Sequence, residues 1–352
     1  MTERAERRLP EIRTESTDPG ERGRAAGTAL ADRIALVVDS YLPIFARRGF
    51  HHDRVLAFGD EVLTRVDRFR PALAEELVEL AAGARQRPEL IAALNGRTEL
   101  LALDECTAVA CLESDDGPWL AQNWDWYGDE PERCVVWQTA VEGGSYTTMT
   151  EAGVLAKVGV STRGLAVSLN ILHHRRDSTG PLGVPVHIVL RELLGSCATV
   201  ADVADLLAEI ELSASSAITV VDAGCNGACF ELSPAGVRRI DPTDGLVVHA
   251  NHFLAPDLAA DELEQDYPLL EGSNARVDLV ASRSPRAIEH AIELLRDHAS
   301  TPQAVCRHDE EPTEAGNPLV DTVASLVMRP AVPALQVAAG QPCCHEYLDY
   351  AV

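Results

Sequence analysis

Asp104-Glu105-Cys106-Thr107, followed after a short interval by Gln122-Asn123-Trp124-Asp125-Trp126, marks where the texture of this 352-residue chain changes. Before it the sequence reads as helix. Ile34, Val37, Val38, Tyr41, Leu42 and Phe45 recur at helical spacing over 32–48, with Pro43 predicting a kink. Helices are also predicted over 53–68, 71–84 and 88–94, after a short strand within 10–17 and a glycine-rich turn at 18–23. Beyond Cys106 the pattern alternates. Residues 106–112 and 119–126 flank Asp115-Asp116-Gly117, a hairpin signal. Further hairpins are read at 135–149 and 155–169. Helices over 186–194 and 200–210 precede strands at 217–222, 228–232, 237–240 and 246–253. Helices at 274–282 and 285–298 and strands at 322–328 and 334–337 complete the pattern. Strand blocks with helices before, between and after them imply two packed sheets clad by helices. No repeat or linker divides the chain, so one composite domain is expected.

A cysteine opening the first strand after a helical segment of pro-peptide length suggests a self-cut before Cys106, which then becomes a new N-terminus. Such a residue brings its own chemistry. The thiol is the nucleophile and the freed α-amine its base, with a reference pKa of about 7.7–8.0 that suits proton exchange near neutrality. Taken alone, a buried cysteine is more often a small hydrophobe; the position of Cys106 is what raises it above that reading.

The motifs extend well beyond this pair. They comprise Gly20-Glu21-Arg22-Gly23-Arg24, Leu94-Asn95-Gly96-Arg97-Thr98-Glu99-Leu100, Cys106-Thr107 and Gln122-Asn123-Trp124-Asp125-Trp126. Thr150-Glu151-Ala152-Gly153 with Lys157-Val158-Gly159, Gly183-Val184-Pro185 with His187, Val248-His249-Ala250-Asn251-His252 and Cys306-Arg307 follow. In order and spacing they resemble the acyl-coenzyme A:isopenicillin N (6-aminopenicillanic acid) acyltransferase family, which belongs to the N-terminal-nucleophile hydrolases. The resemblance implies an α+β, four-layer αββα fold, cut into residues 1–105 and 106–352 that stay associated. It implies Cys106 as self-cleaving residue and nucleophile, with Asp125 near its amine and thiol. Asn251 would donate to the oxyanion, and Arg307 would hold the site's carboxylate and lower the thiol pKa. Thr107, Trp126 and Ser216 are candidate substrate contacts, Ser216 together with its neighbour Ser215, and Lys157 reads as structural. In isolation Asp125 would be an ordinary turn carboxylate, Asn251 a strand-end residue and Arg307 a surface cation. One departure stands out: the family has glycine before the nucleophile, and this chain has Glu105, which costs the cleavage site backbone freedom and raises the thiol pKa unless it acts as a local base.

Composition bounds the partners. The formal charge is −25, of which −3 falls on residues 1–105 and −22 on the remainder. So acidic a surface repels phosphate backbones, and no nucleic-acid partner is expected. No apolar run is long enough to span a bilayer and the first thirty residues lack an apolar signal region. Nine irregularly spaced cysteines then read as reduced thiols in a cytoplasm. Cys225, Cys229, Cys343-Cys344-His345 and the His249/His252 pair invite a zinc reading. They lack paired-cysteine spacing, and His249 and His252, three apart in a predicted strand, would face opposite ways. No metal and no cofactor are expected, with a coenzyme A thioester as the one co-substrate to consider. The sequence thus favours hydrolysis of a small N-acyl amide or peptide-like substrate through an acyl-thioester, over acyl-coenzyme A-dependent transfer and over an uncleaved relative acting as a binding protein.

Overall fold

The computed structural model describes residues 4–101, 105–127, 132–263, 267–299, 304–308 and 320–352; Asp104 of the opening stretch lies outside them. Strand β1 (Glu11–Thr14) is followed by helices α1 (Pro19–Ala29), α2 (Ala31–Arg47), α3 (His52–Phe69), α4 (Pro71–Gly83) and α5 (Pro88–Asn95). The glycines at 20 and 23 belong to α1 rather than to a turn. Asp18 caps that helix by accepting from the Glu21 N–H, and Pro19 supplies a preset first-turn φ. The glycines serve contact: a Cβ at Gly23 would meet Glu76 O at 2.3 Å, and one at Gly27 would meet Leu80 O at 2.1 Å. Close approach of α1 to α4 therefore demands glycine.

Strands β2 (Glu105–Cys111), β3 (Trp119–Tyr127), β4 (Cys134–Val141), β5 (Gly144–Glu151), β6 (Val158–Ser161) and β7 (Leu165–Ile171) come next. Helices α6 (Val186–Ser196) and α7 (Val200–Ala208) separate them from β8 (Ser216–Asp222), β9 (Gly227–Ser233), β10 (Gly236–Ile240) and β11 (Leu246–His249). The chain ends through α8 (Pro256–Ala259), α9 (Tyr267–Arg283), α10 (Ile288–Leu295), β12 (Val320–Arg329), β13 (Ala334–Ala338) and β14 (Leu348–Tyr350). Among the described residues, no helix is long and apolar enough to cross a membrane.

The strands form an eight-stranded sheet, ordered β1-β4-β5-β6-β7-β8-β9-β10, and a six-stranded sheet, ordered β11-β2-β3-β12-β13-β14. Alternation along β2 and β3 separates two cores. Cys106, Ala110, Leu120, Trp124 and Trp126 join the large core between the sheets. Val109, Cys111, Trp119 and Ala121 face outward onto Val280 of α9 and Leu294 and Leu295 of α10. On the far side α6 packs on β5, β6 and β7, and α7 on β8. The layers are helix, sheet, sheet, helix: the αββα N-terminal-nucleophile hydrolase arrangement that the sequence implied.

Residues 1–105 and 106–352 interlock through buried polar contacts. β1 is a parallel edge strand on β4, and Trp137 Nε1 donates to Thr14 Oγ1 at 3.0 Å. Asn95 donates to Gly153 O at 2.8 Å and accepts from Leu155 N at 2.9 Å, while Arg97 and Tyr41 both bond Glu151. Glu76 takes Arg22 through both oxygens, at 2.9 and 2.7 Å, and Arg191 of α6 at 3.0 Å. Burial alone would push the Glu76 carboxyl up, but Arg191 and Arg22 together hold it below the usual carboxylate range. Glu76→Ala strands two buried guanidiniums, so urea denaturation should show a loss of about 3–5 kcal/mol at neutral pH. The lowered folded pKa makes this contribution present above the unfolded value of about 4.3 and lost as pH falls through the folded one. The gap between variant and wild type should therefore narrow in acid; a constant gap would contradict the charge assignment.

Candidate active site

Cys106 sits in β2 between β11 and β3. β11 pairs with β2 from Leu246–Cys111 to His249–Ala108 and then stops. Two residues on, the side chain of Asn251 continues the role of the strand: the Cys106 N–H donates to Asn251 Oδ1 at 2.8 Å. A side-chain amide thus holds the nitrogen that a backbone carbonyl would hold in an unbroken ladder. Ending β11 at His249 also alters the geometry expected of the histidine pair. His252 lies past the strand, and the two rings stack with centroids 6.5 Å apart instead of facing opposite ways.

The position of Asn251 is heavily determined. Its N–H donates to Ser273 Oγ of α9 at 2.8 Å, its Nδ2 donates to Ile171 O at 3.0 Å, and its Oδ1 also accepts from Arg276 Nη2 at 3.0 Å. The loop that carries it is tied to Glu231 of β9, which accepts from Leu254 N and Ala255 N and meets His249 Nε2 at 2.8 Å. His249 Nδ1 faces Ala250 O at 2.9 Å and must donate to it. Burial first, then the neighbouring His249, lowers His252 to about 4, so it bonds Ser273 as a neutral ring.

Asp125 pairs across the ladder with Glu105, and Trp124 with Cys106. The thiol and the Trp124 ring therefore face the inter-sheet core, while the Asp125 carboxylate lies on the opposite face of the sheet. Thr322 Oγ1 donates to Asp125 Oδ1 at 2.6 Å and accepts from the Arg307 N–H at 2.8 Å. The β3–β12 register shifts between Thr322 and Ala324, an irregularity of the kind that re-aims side chains. Arg307 is thereby brought to Asp125 through Thr322.

On the thiol side, the buried Lys157 places Nζ 3.5 Å from the Trp124 ring centroid and 5.9 Å from that of Trp126. Read as structural from its glycine-flanked motif, it lies as a buried cation over the residue paired with Cys106. Trp126 shares this face. Thr107 points to the opposite side of the sheet, level with Asn123. Ser216 pairs with Ile171, whose carbonyl receives Asn251. Arg276, Ser273, Thr322 and Glu231 were not singled out from the sequence; each lies in an ordinary helix or strand and is joined to the site only by the fold.

A cavity of about 280 Å³ opens at Ile171, lined also by Leu172, Glu99, His173, Asp177 and Ser215. Burial pushes Glu99 up to about 8 and raises Asp177, despite the hydrogen bond that Asp177 Oδ1 accepts from Ser215 at 2.6 Å. Burial, then the charge of Arg48, lowers His173 to about 4. Near neutrality Glu99 is a carboxylic acid and His173 an uncharged ring, so this wall suits an uncharged group.

The helix, sheet, sheet, helix layering is that of the N-terminal-nucleophile hydrolase fold, and sequence comparison narrows it. The family described as acyl-coenzyme A:6-aminopenicillanic acid acyl-transferase matches residues 112–343, more than half of the chain. The chain belongs to this family. It is 28% identical over 338 residues to the acyl-coenzyme A:6-aminopenicillanic-acid-acyltransferase 40 kDa form of Emericella nidulans, covering 92% of this chain and 91% of the relative. Similar solved structures include a Caenorhabditis elegans N-acylethanolamine-hydrolyzing acid amidase ortholog (TM-score 0.44, 16% identity, 65% of this chain and 94% of that one). Penicillin V acylase from Agrobacterium tumefaciens is another (TM-score 0.44, 13% identity, 66% and 83%).

Because its folded pKa of about 8 lies above the unfolded value of about 4.3, Glu99 stabilises the fold fully in acid. That contribution is lost as pH rises through the folded pKa. Glu99→Gln should consequently gain on wild type in urea midpoint between about pH 5 and pH 8.5; parallel pH profiles would show that Glu99 ionises normally.

Proposed function

We propose that this enzyme cleaves itself between Glu105 and Cys106 and then transfers acyl groups through a thioester on Cys106, releasing them to water from a small N-acyl amide or peptide-like substrate. The observation that carries the reading is the 2.8 Å hydrogen bond from the Cys106 N–H to Asn251 Oδ1. A nitrogen held by a side chain can turn from amide into amine without dismantling the sheet.

In maturation the Cys106 sulfur attacks the Glu105 carbonyl, the peptide C–N bond breaks, and the nitrogen leaves as an amine carrying the proton. Water then hydrolyses the thioester to give the Glu105 carboxylate and a free thiol. In turnover the amine takes the thiol proton and the thiolate adds to the substrate carbonyl. Asn251 Nδ2 donates to the developing oxyanion, an interaction whose loss typically costs about 10²–10³ in kcat. Collapse breaks the C–N bond and expels the leaving amine, which takes the proton from the α-ammonium; water, losing a proton to the α-amine, then adds to the acyl-thioester, and breaking of the C–S bond releases the carboxylic acid while the proton returns to the thiol. Asp125, Thr322 and Arg307 fix the charge around the new N-terminus, and the Ile171 cavity receives the acyl group. Nucleophile, base and oxyanion donor all come from the chain, so the cycle needs no cofactor. Nine irregularly spaced cysteines accord with a reducing cytoplasm, and the buried contacts across the cut keep residues 1–105 as a permanent partner.

A second reading replaces water with an amine acceptor and uses an acyl-coenzyme A donor. Membership of a family described as an acyl-transferase favours it. Rapid acid quench of the enzyme with a panel of N-acyl amides, followed by peptide mass mapping, should find the acyl group on the peptide beginning at Cys106. Asn251→Ala should lower kcat by about 10²–10³ while KM changes little. Product formation that requires coenzyme A thioester and an added amine would select the second reading. Turnover unchanged in Cys106→Ala would overturn both.

A further inference from the structure

Beyond the sulfur of Cys106, the fold gathers a second group of thiols and imidazoles. Cys343 was weighed with Cys225, Cys229 and His345 as a metal ligand, but the structure gives it other company. His298 after α10, Cys306 and His308 on the segment 304–308, and Cys343 in the turn before β14 bring one donor atom each to within 4.8 Å of one another. Cys306 Sγ lies 3.7 Å from Cys343 Sγ and 3.5 Å from His308 Nε2, and His308 Nε2 lies 3.1 Å from Cys343 Sγ. The His298 and His308 rings are 5.1 Å apart at centroids.

These separations have a meaning. Tetrahedral zinc with Zn–S of about 2.3 Å and Zn–N of about 2.0–2.1 Å sets its ligands about 3.8 Å apart for two sulfurs and about 3.6 Å apart for sulfur and nitrogen. The two distances from Cys306 reproduce this spacing, and the sulfurs are too far apart to be bonded. We propose that His298, Cys306, His308 and Cys343 form a structural Cys2His2 site for one zinc ion per chain.

The donor set is the one soft, tetrahedral metals prefer. Two thiolates and two neutral imidazoles cancel the charge of a divalent ion, so the partly buried site ends neutral. All four positions are donated by protein, as in structural zinc sites. The exposed His298 leaves a route for the ion to enter. Supporting contacts are already present: Cys306 N donates to Asp297 O at 2.9 Å, and Arg296 Nε donates to Pro342 O at 2.9 Å. Arg307 lies between two of the ligands, so the ion would pin the backbone that bonds Thr322 and, through it, Asp125. The spacing Cys-x-His with remote His and Cys matches no common zinc signature, which is why the sequence pointed elsewhere.

The test uses the full chain, purified reduced and without chelators, and reads metal rather than activity. Elemental analysis should find about one zinc per chain after equilibration with stoichiometric zinc. Wild-type protein stripped and reloaded with cobalt(II) should show thiolate-to-cobalt charge-transfer absorption and the intense visible bands of tetrahedral coordination. Cys343→Ser and His298→Ala should each weaken zinc binding at least ~10-fold, whereas Cys225→Ser should leave it unchanged. Wild-type protein without tetrahedral thiolate bands, zinc retained in both ligand variants, or a Cys306–Cys343 disulfide in the reduced preparation would each overturn the assignment. The cobalt spectrum is read on wild type and does not depend on the variants folding.

Discussion

The architecture around Cys106 rests on the hydrogen bond between its N–H and Asn251 Oδ1. β2 is an interior strand, and an interior strand ordinarily has its backbone nitrogens occupied by its neighbours' carbonyls. Ending β11 at His249 opens one such position, and Asn251 fills it with a group that tolerates either an amide or an amine. Everything near it then works to keep Asn251 still. Ser273 and Arg276 reach it from α9, Ile171 from the opposing sheet, and Glu231 anchors the loop that follows. A contact shared by two sheets and a helix holds the Cys106 nitrogen in a geometry that the fold itself sets.

The same economy runs through the helical N-terminal third. Its helices deliver buried polar groups to fixed points on the β-rich remainder: Asn95 to the backbone at 153 and 155, Arg97 and Tyr41 to Glu151, and Arg22 with Glu76 to Arg191. Each of these groups would be costly if left unmatched. None of these contacts involves the peptide bond between residues 105 and 106, so the two parts of the chain are held to each other by buried polar groups as well as by the backbone.

Much of this could be read in the sequence because it follows local rules. Helical periodicity located α2 through α5, and alternation around Asp115-Asp116-Gly117 located the hairpin that carries Cys106 and Asp125. The misreadings have physical causes. Gly20 and Gly23 looked like a turn because glycine is ambiguous between bending a chain and letting two helices touch; the second use shows only once α4 lies against α1. β11 was expected to run to Phe253, yet its ladder to β2 ends at His249, and the loop beyond is held by Glu231 through Leu254 N and Ala255 N. Nothing local revealed that the Lys157 ammonium rests on Trp124. Arg276 and Thr322 join the site through contacts more than twenty residues away in sequence, a range at which spacing carries no signal.

The central claim is that Cys106 becomes an N-terminus, and the Glu105 that replaces glycine is its most demanding test. Intact-mass spectrometry of freshly purified wild type beside Cys106→Ala measures this directly. The account predicts two associated fragments from wild type, the larger beginning at Cys106, and one uncut chain from the variant. A single uncut chain in both would contradict it, for the amine that serves as base would then never form.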